Sequence, residues 1–195
     1  MVNSANKDTL EFKKYVKKGA GILPITYYNN NWMILCGRES EIPRSKDSGK
    51  WSDFGGGAHK NEIPSEVAIR EGYEESMGIF GNEADLQALI EKKLFFVLDT
   101  GTYECFVVFI EYNKDLPVFF RKMYNYMLVG DREYLKKNNG LFEKDKIEWF
   151  NLNEVLNDSK KNIKDRKMHF RKVFLYILNK FKNKMKELDK KILDI

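Results

Sequence analysis

Two cysteines, Cys36 and Cys105, are all that 195 residues contain, and no stretch approaches the ~20 consecutive apolar residues of a membrane helix. The longest apolar run, Cys105 to Ile110, has the length of a buried strand. Both cysteines lie in strand-like apolar runs. They read as buried, reduced thiols of a cytoplasmic protein, and a disulfide between them stays open. The first residues, Met1-Val2-Asn3-Ser4-Ala5-Asn6-Lys7-Asp8, lack the apolar core of a signal peptide. There is no internal repeat, no Pro- or Gly-rich linker and no low-complexity tract beyond a Lys/Asn bias. The expectation is a soluble, cytoplasmic chain with no membrane partner, and composition leaves its oligomeric state undetermined.

What is present is enough for a core: 43% hydrophobic and 14% aromatic residues, with 32% charged. The net charge of +5 is unevenly spread. From Ser159 to Ile195 there are thirteen Lys or Arg against four Asp or Glu, a net of +9, so the preceding 158 residues carry −4. A basic end on a mildly acidic body suits a polyanionic partner such as RNA, and it equally suits a solvated lysine-rich helix face.

Residues 1–16 read as an arm, 17–188 as one domain with an insert at about 117–140, and 189–195 as a tail. Gly19 to Thr26 and Trp32 to Gly37 read as strands joined by a turn at Asn29-Asn30-Asn31. Glu39 to Lys50 reads as a loop. A helix is expected from about Pro64 to Met77, with proline in its first turn and Gly78 as its stop. Lys92 to Asp99 and Tyr103 to Tyr112 suit a second hairpin. Pro117 to Lys137 has mixed helical character, Ile147 to Asn151 suits a short strand, and Leu152 to Leu156 a short helix. Phe170, Val173, Phe174, Ile177, Leu178, Phe181, Met185 and Leu188 recur at three- and four-residue steps, which predicts one long amphipathic helix from Asp165 to Leu188 whose stripe faces the core rather than a partner. Hairpins with helices at both ends indicate an α/β or α+β layered domain.

The informative run is Gly56 to Ile79. At ~100° per residue, Glu71, Glu74 and Glu75 fall near 0°, 300° and 40°, on one helix face. Ile69 and Tyr73 point the opposite way and are expected to pack on a sheet. Three neighbouring carboxylates repel one another and raise one another's pKa. A hard divalent cation relieves that repulsion, and all-oxygen ligands suit magnesium or manganese. Arg70 is placed to pair with one of these carboxylates through its fork of donors. Glu62 precedes the helix and is placed to tie down the loop from Gly56. Gly55-Gly56-Gly57 lets the backbone approach a ligand closely. Loop, helix and metal together make a site for phosphate oxygens.

This run resembles the Nudix box, G-x5-E-x7-R-E-U-x-E-E-x-G-U with U aliphatic. Gly56, Glu62, Arg70, Glu71, Glu74 and Glu75 fall on its fixed positions. In outline the resemblance covers about residues 17 to 180, but only the box is specific. Gly72 stands at an aliphatic position, Ile63 replaces a helix-capping Thr or Ser, Phe54 stands where proline is common, and Ser76-Met77 puts one extra residue before Gly78. The resemblance implies a Nudix-type α/β/α sandwich with a mixed sheet, the loop-helix and a long C-terminal helix. It implies hydrolysis of a diphosphate linked to another group, by water attacking phosphorus. Glu71, Glu74 and Glu75, with Gly56, match the ligands of Mg2+ or Mn2+, two or more ions in all. Arg70 matches the residue that orients the helix glutamates, and Glu62 a structural position. The general base is often a further glutamate: Glu143, in the loop before Ile147-Glu148-Trp149-Phe150, is the candidate, with Glu104 the weaker one.

Gly56, Gly57 and Arg38 are expected at the substrate, with Arg44 and Lys46 within possible reach of a phosphate. His59, in the glycine loop, reads either as a solvent-exposed structural residue or as a contact to phosphate, and His169 as a half-buried packing residue. Trp51, Phe54 and Tyr103 either stack on a base or belong to the core. The substrate classes implied are a nucleotide or other small polyphosphate, or larger anions, namely capped RNA or diphosphoinositol polyphosphates. A third expectation is a nucleotide-binding module of the same fold without catalysis. The long insert followed by Gly-Leu-Phe-Glu-Lys-Asp-Lys-Ile-Glu-Trp-Phe, in a Lys/Asn-rich chain, is similar to Nudix proteins of large DNA viruses. These include mRNA-decapping enzymes and would act in the host cytoplasm.

Overall fold

A computed structural model describes residues 18–42, 44–130 and 140–191. The arm at 1–16, part of the insert at 131–139 and most of the tail lie outside these residues. Asn29 and Asn30, at φ 48° and 60°, form a two-residue turn between β1 (Gly19–Tyr28) and β2 (Asn31–Glu39). Both central residues of such a turn need positive φ, which asparagine tolerates better than most. The strands pair only at Ile25–Tyr28 with Asn31–Ile34. Beyond that they part, and β3 (Trp51–Ser52) and β4 (Phe54–Gly56) fill the opening, β3 on β2 and β4 on β1. Pro24, which has no N–H to donate, falls between the β1 residues paired to β4 and those paired to β2.

Among the described residues the remaining elements are α1 (Pro64–Ser76), α2 (Glu83–Lys93), β5 (Leu94–Asp99), β6 (Tyr103–Phe109), α3 (Leu116–Gly130), β7 (Lys144–Asn151), α4 (Leu152–Ser159), a 3-10 turn at Ile163–Asp165, α5 (Lys172–Lys182) and α6 (Met185–Lys191). Strand order is β3-β2-β1-β6-β5, with β4 on β1 and β7 on β2. The β1–β6 pair is parallel and the others antiparallel, so the sheet is mixed. Successive side chains alternate between its faces. Ala20, Ile22, Phe106 and Val108 pack against Val67 and Ala68 of α1 and Leu86 of α2. Leu23, Ile25, Cys105 and Val107 face the other way, toward α4, α5 and Leu188 of α6. The result is the expected α/β/α layering. A further cluster, with Leu35, Phe120, Tyr124 and Ile147, docks α3 on β7 and β2.

Four expectations need correction. The predicted helix from Asp165 to Leu188 is interrupted. Residues 166–171 instead form a backbone bridge to β3: the Trp51 N–H donates to the His169 carbonyl (2.8 Å) and the Arg171 N–H to the Trp51 carbonyl (3.0 Å). Asp158 stabilises this turn away from helix by accepting the Lys167 and Met168 amides at 3.1 and 2.8 Å. A second break at Asn183–Lys184 separates α5 from α6. The stripe still faces the core, because Phe170, Phe174, Ile177, Leu178, Phe181 and Leu188 are all buried.

Second, α1 turns Val67, Ala68 and Gly72 fully to the sheet, while Ile69 and Tyr73 pack against the same cluster as expected but from its margin, partly buried. A Cβ at Gly72 would lie 2.8 Å from Ile22 Cδ1, so the glycine lets α1 sit close on β1. Third, α1 ends at Ser76, and Met77 itself takes the left-handed position at φ 54°. Read this way, methionine stands where the pattern has glycine, at a cost of about 1–2 kcal/mol, and no residue is inserted. Fourth, α2 was not anticipated. Asn82 caps it, accepting from the Ala84 and Asp85 amides.

Phe181 is fully buried between α5 and the sheet, where its ring meets Phe96 edge-on at 5.5 Å. Phe181→Ala is expected to lower unfolding free energy by about 3–5 kcal/mol. A urea titration would show this as a lower midpoint at unchanged slope.

Candidate active site

The β4 turn and α1 lock together through carboxylates. The Gly55 N–H donates to Glu75 Oε2 at 2.6 Å. A Cβ at Gly56 would lie 2.5 Å from Glu71 Oε1, so no larger residue fits against that carboxylate. Arg70 joins the parts. Its Nε and Nη2 donate to Glu62 at 2.8 and 3.1 Å, its Nη1 to Glu71 Oε1 at 2.8 Å and Glu74 Oε2 at 3.1 Å, and its Nη2 also to the Gly57 carbonyl at 3.1 Å. Glu62 accepts the His59 amide as well, which closes the loop onto the helix. These bonds, led by those from Arg70, depress the Glu62 carboxyl to about 2. Burial pushes Glu71 the other way, above the ordinary range, against the pull of Arg70.

The second half of the site comes from β2, β7 and the C-terminal segment. A β-bulge between Arg38 and Glu39 shifts the β2–β7 register, so Lys144 rather than Asp145 lies opposite Glu39. Lys144 is fully buried. It donates to Glu39 Oε1 and to Ser52 Oγ (2.7 Å), and its ammonium lies 3.3 Å from Glu75 Oε1. Burial alone would lower its pKa, and the Glu75 and Glu39 carboxylates reverse that. Arg171 reaches the same Glu39 oxygen at 3.0 Å. Glu75 is 1% exposed, and burial holds its carboxyl well above the usual range. Glu143 is brought in by its backbone, whose carbonyl accepts the Ser40 amide at 2.7 Å. Its pKa too is raised, chiefly by burial.

Carboxylate oxygens of Glu39, Glu75 and Glu143 all lie within 4.8 Å of one another. Glu75 Oε1 is buried and accepts no hydrogen bond among the described residues. The turn carrying Gly140 (φ 80°) runs over Glu74, whose Oε2 would lie 2.7 Å from a Cβ there. A clustered, all-oxygen and partly unsatisfied donor set fits a hard divalent ion such as Mg2+ or Mn2+.

Glu62, Arg70, Glu71, Glu74, Glu75, Gly56 and Gly57 thus meet around one turn, with Glu143 beside them. Arg38 forms a two-pronged bridge with Asp145 at 2.8 and 3.0 Å. Glu104 pairs with Lys18 at 2.9 Å, apart from the acidic group. His59 is exposed as expected. His169 is exposed too, not half-buried, and precedes α5 rather than lying within a helix. Phe54 and Tyr103 are core residues, the Tyr103 hydroxyl donating to buried Asp53 at 2.9 Å, and Trp51 packs edge-on against Phe150. Sequence reasoning missed Glu39, Ser52, Lys144 and Arg171. Strict strand alternation puts Lys144 with Lys146 on the other face, and only the bulge brings it inward.

Because its folded pKa is depressed, Glu62 contributes stability that is present above the ordinary glutamate range and lost as pH falls through about 2. In Arg70→Met, carboxyl NMR is expected to show Glu62 titrating near its ordinary value. Acid unfolding should then begin at higher pH than in the wild type.

No family model matches the chain. An uncharacterized protein, L534, of Acanthamoeba polyphaga mimivirus is 41% identical over 64 residues, which is 32% of this chain. The match spans only about a fifth (20%) of that protein's length. Among solved structures, the Nudix hydrolase RenU of M. smegmatis superposes with a TM-score of 0.48 at 12% identity, covering 88% of each chain. A C. elegans Ap4A hydrolase in a binary complex gives 0.46 at 13%, covering 88% of this chain and 99% of that one. The NUDIX domain of Shewanella oneidensis NrtR complexed with ADP ribose gives 0.46 at 13%, covering 92% and 94%. Likenesses of this size concern the course of the chain and carry nothing about substrate.

Proposed function

We propose that the chain is a Mg2+- or Mn2+-dependent hydrolase of the Nudix kind that cleaves a phosphoanhydride bond in a nucleotide or capped RNA. The observation that carries this reading is the meeting of Glu71 and Glu74 with the Gly55–Gly57 turn and Glu143 on one side of the sheet. The metal ligands are drawn from Glu71, Glu74 and Glu75, with the Gly56 carbonyl. A bound divalent ion supplies charge neutralisation at the diphosphate and at the attacking water. Arg70 holds Glu71 and Glu74 in place and fixes the glycine turn through Glu62 and the Gly57 carbonyl. Glu143 takes the proton from the water that attacks phosphorus, and the anhydride P–O bond breaks to release the leaving phosphate. Its raised pKa brings it closer to the neutral range in which a general base works best.

Nothing in the ligand set selects the leaving group. The exposed lysines of the C-terminal segment, among them Lys160, Lys161, Lys164, Lys167 and Lys172, supply a basic surface for RNA. Capped RNA is therefore preferred over the free cap, and the preference weakens steeply with salt as phosphate contacts release counterions.

With magnesium or manganese, a panel of nucleoside triphosphates, nucleotide sugars, dinucleoside polyphosphates, diphosphoinositol phosphates and capped RNA identifies the substrate. Glu74→Gln is expected to cut turnover by orders of magnitude with an unchanged circular dichroism spectrum. A near wild-type rate would refute the metal assignment. Glu143→Gln is expected to lower kcat far more than it changes KM, and an unchanged kcat would move the base elsewhere.

A further inference from the structure

The two halves of the acidic site differ in how their charge is met. On the open side, Glu71 and Glu74 share one partner among the described residues, Arg70, whose donors also serve Glu62 and the Gly57 carbonyl. On the deep side, Lys144 has zero exposure, donates to Glu39 and Ser52, and forms an ion pair with Glu75 Oε1 at 3.3 Å. Glu39 is held further by Arg171, and Glu75 Oε2 by the Gly55 amide. The fold makes room for this lysine. A Cβ at Gly37 would lie 2.9 Å from Lys144 Cδ, so glycine on β2 provides the groove in which the stem lies. The bulge that turns Lys144 inward is the other half of the arrangement.

We propose that Lys144 is a built-in cation that takes the deep position of the acidic cluster, so that the free protein binds a single divalent ion, at Glu71 and Glu74. Glu39 and Glu75 stay paired with the lysine. This departs from the two or more ions that the Nudix resemblance implies and leaves Glu75 out of the ligand set in the free protein, and it rests on the metal-dependent reading above. Lys144 acts as a positioning residue: with zero exposure it stands behind the carboxylates and fixes how many of them remain for metal. Replacing it with an uncharged side chain of similar length leaves Glu39, Glu75 and Glu143 with the oxygen spacing of a cation site and less positive charge between them.

The test is Mn2+ binding to the full chain without substrate, counted by the electron paramagnetic resonance of free Mn2+, for wild type, Glu74→Gln and Lys144→Met. The expected result is about one equivalent for wild type, strongly weakened binding in Glu74→Gln, and about two equivalents in Lys144→Met. Two or more tight equivalents in wild type overturn the inference and leave the metal-dependent reading standing, as does an unchanged count in Lys144→Met. No binding to wild type overturns both. If Lys144→Met does not fold in metal-free buffer, the wild-type count still decides, and the thermal midpoint adds a second readout. Mn2+ is expected to raise the midpoint of Lys144→Met more than that of wild type, and an equal rise in the two counts against the inference. A lysine with a merely structural role would give no gain in metal.

Discussion

A buried glutamate in need of a counter-charge is the constraint around which this site is organised. Glu75 projects from α1 into a region where water does not reach, and an isolated carboxylate there would cost several kcal/mol. Two elements far apart in sequence answer it: the amide of Gly55 in β4 and the ammonium of Lys144 in β7. Lys144 in turn needs Glu39 from β2 and Ser52 from β3. One ion pair, with the Gly55 amide, therefore joins α1 to β7 and to the glycine turn. Removing a single member of such a group is costly, about 3–5 kcal/mol, because the partners remain buried and charged. The group defines one arrangement more than it adds net stability.

Arg70 lies at the middle of the same helix and has the opposite character. It is part-exposed, and its strength lies in geometry rather than burial. A planar fork of donors reaches three carboxylates and one carbonyl, which a lysine's point charge does not reproduce. By collecting Glu62, Glu71, Glu74 and Gly57 it brings like charges to a distance at which they repel. Arg70 thus meets these carboxylates together, on the open side of the site. Gly72 completes the arrangement from below: with no side chain between α1 and Ile22, the helix lies close enough to β1 for its carboxylates to meet the β4 turn.

What the sequence disclosed and what it concealed follow one division. Contacts between residues near in sequence were legible. The spacing of Glu71, Glu74 and Glu75 placed them on one face, Arg70 beside them met two of them, and Glu62 tied the loop as expected. The Asn29-Asn30 turn and the stripe from Phe170 to Leu188 were visible for the same reason. Contacts made by tertiary pairing were not. The bulge at Arg38–Glu39 inverts the facing of Lys144, and no periodicity in Lys144-Asp145-Lys146 announces it. The extended segment before α5 carries a helical pattern of apolar residues. It lost to a competing option, two backbone bonds to Trp51 and the Asp158 carboxylate accepting two amides. Glu143 lies between these cases. Its neighbourhood was inferred from the strand that follows it, and the turn at Gly140 and the Ser40 amide bring it beside the cluster.

The basic C-terminal region is joined to this chemistry through Arg171. Residues 159–195 look in composition like a separate cationic appendage, yet Arg171 turns inward to Glu39 and lies 3.8 Å from Asp47. Its backbone is bonded to Trp51, the residue before Ser52, which itself accepts from Lys144. The segment that carries the positive surface is therefore anchored on the strand that forms the floor of the acidic site. An anion bound along the exposed lysines would bear on a chain whose inward arginine balances Glu39. Charge at the periphery and charge at the centre are set by the same stretch of backbone, which gives the mildly acidic body and the basic end one electrostatic design.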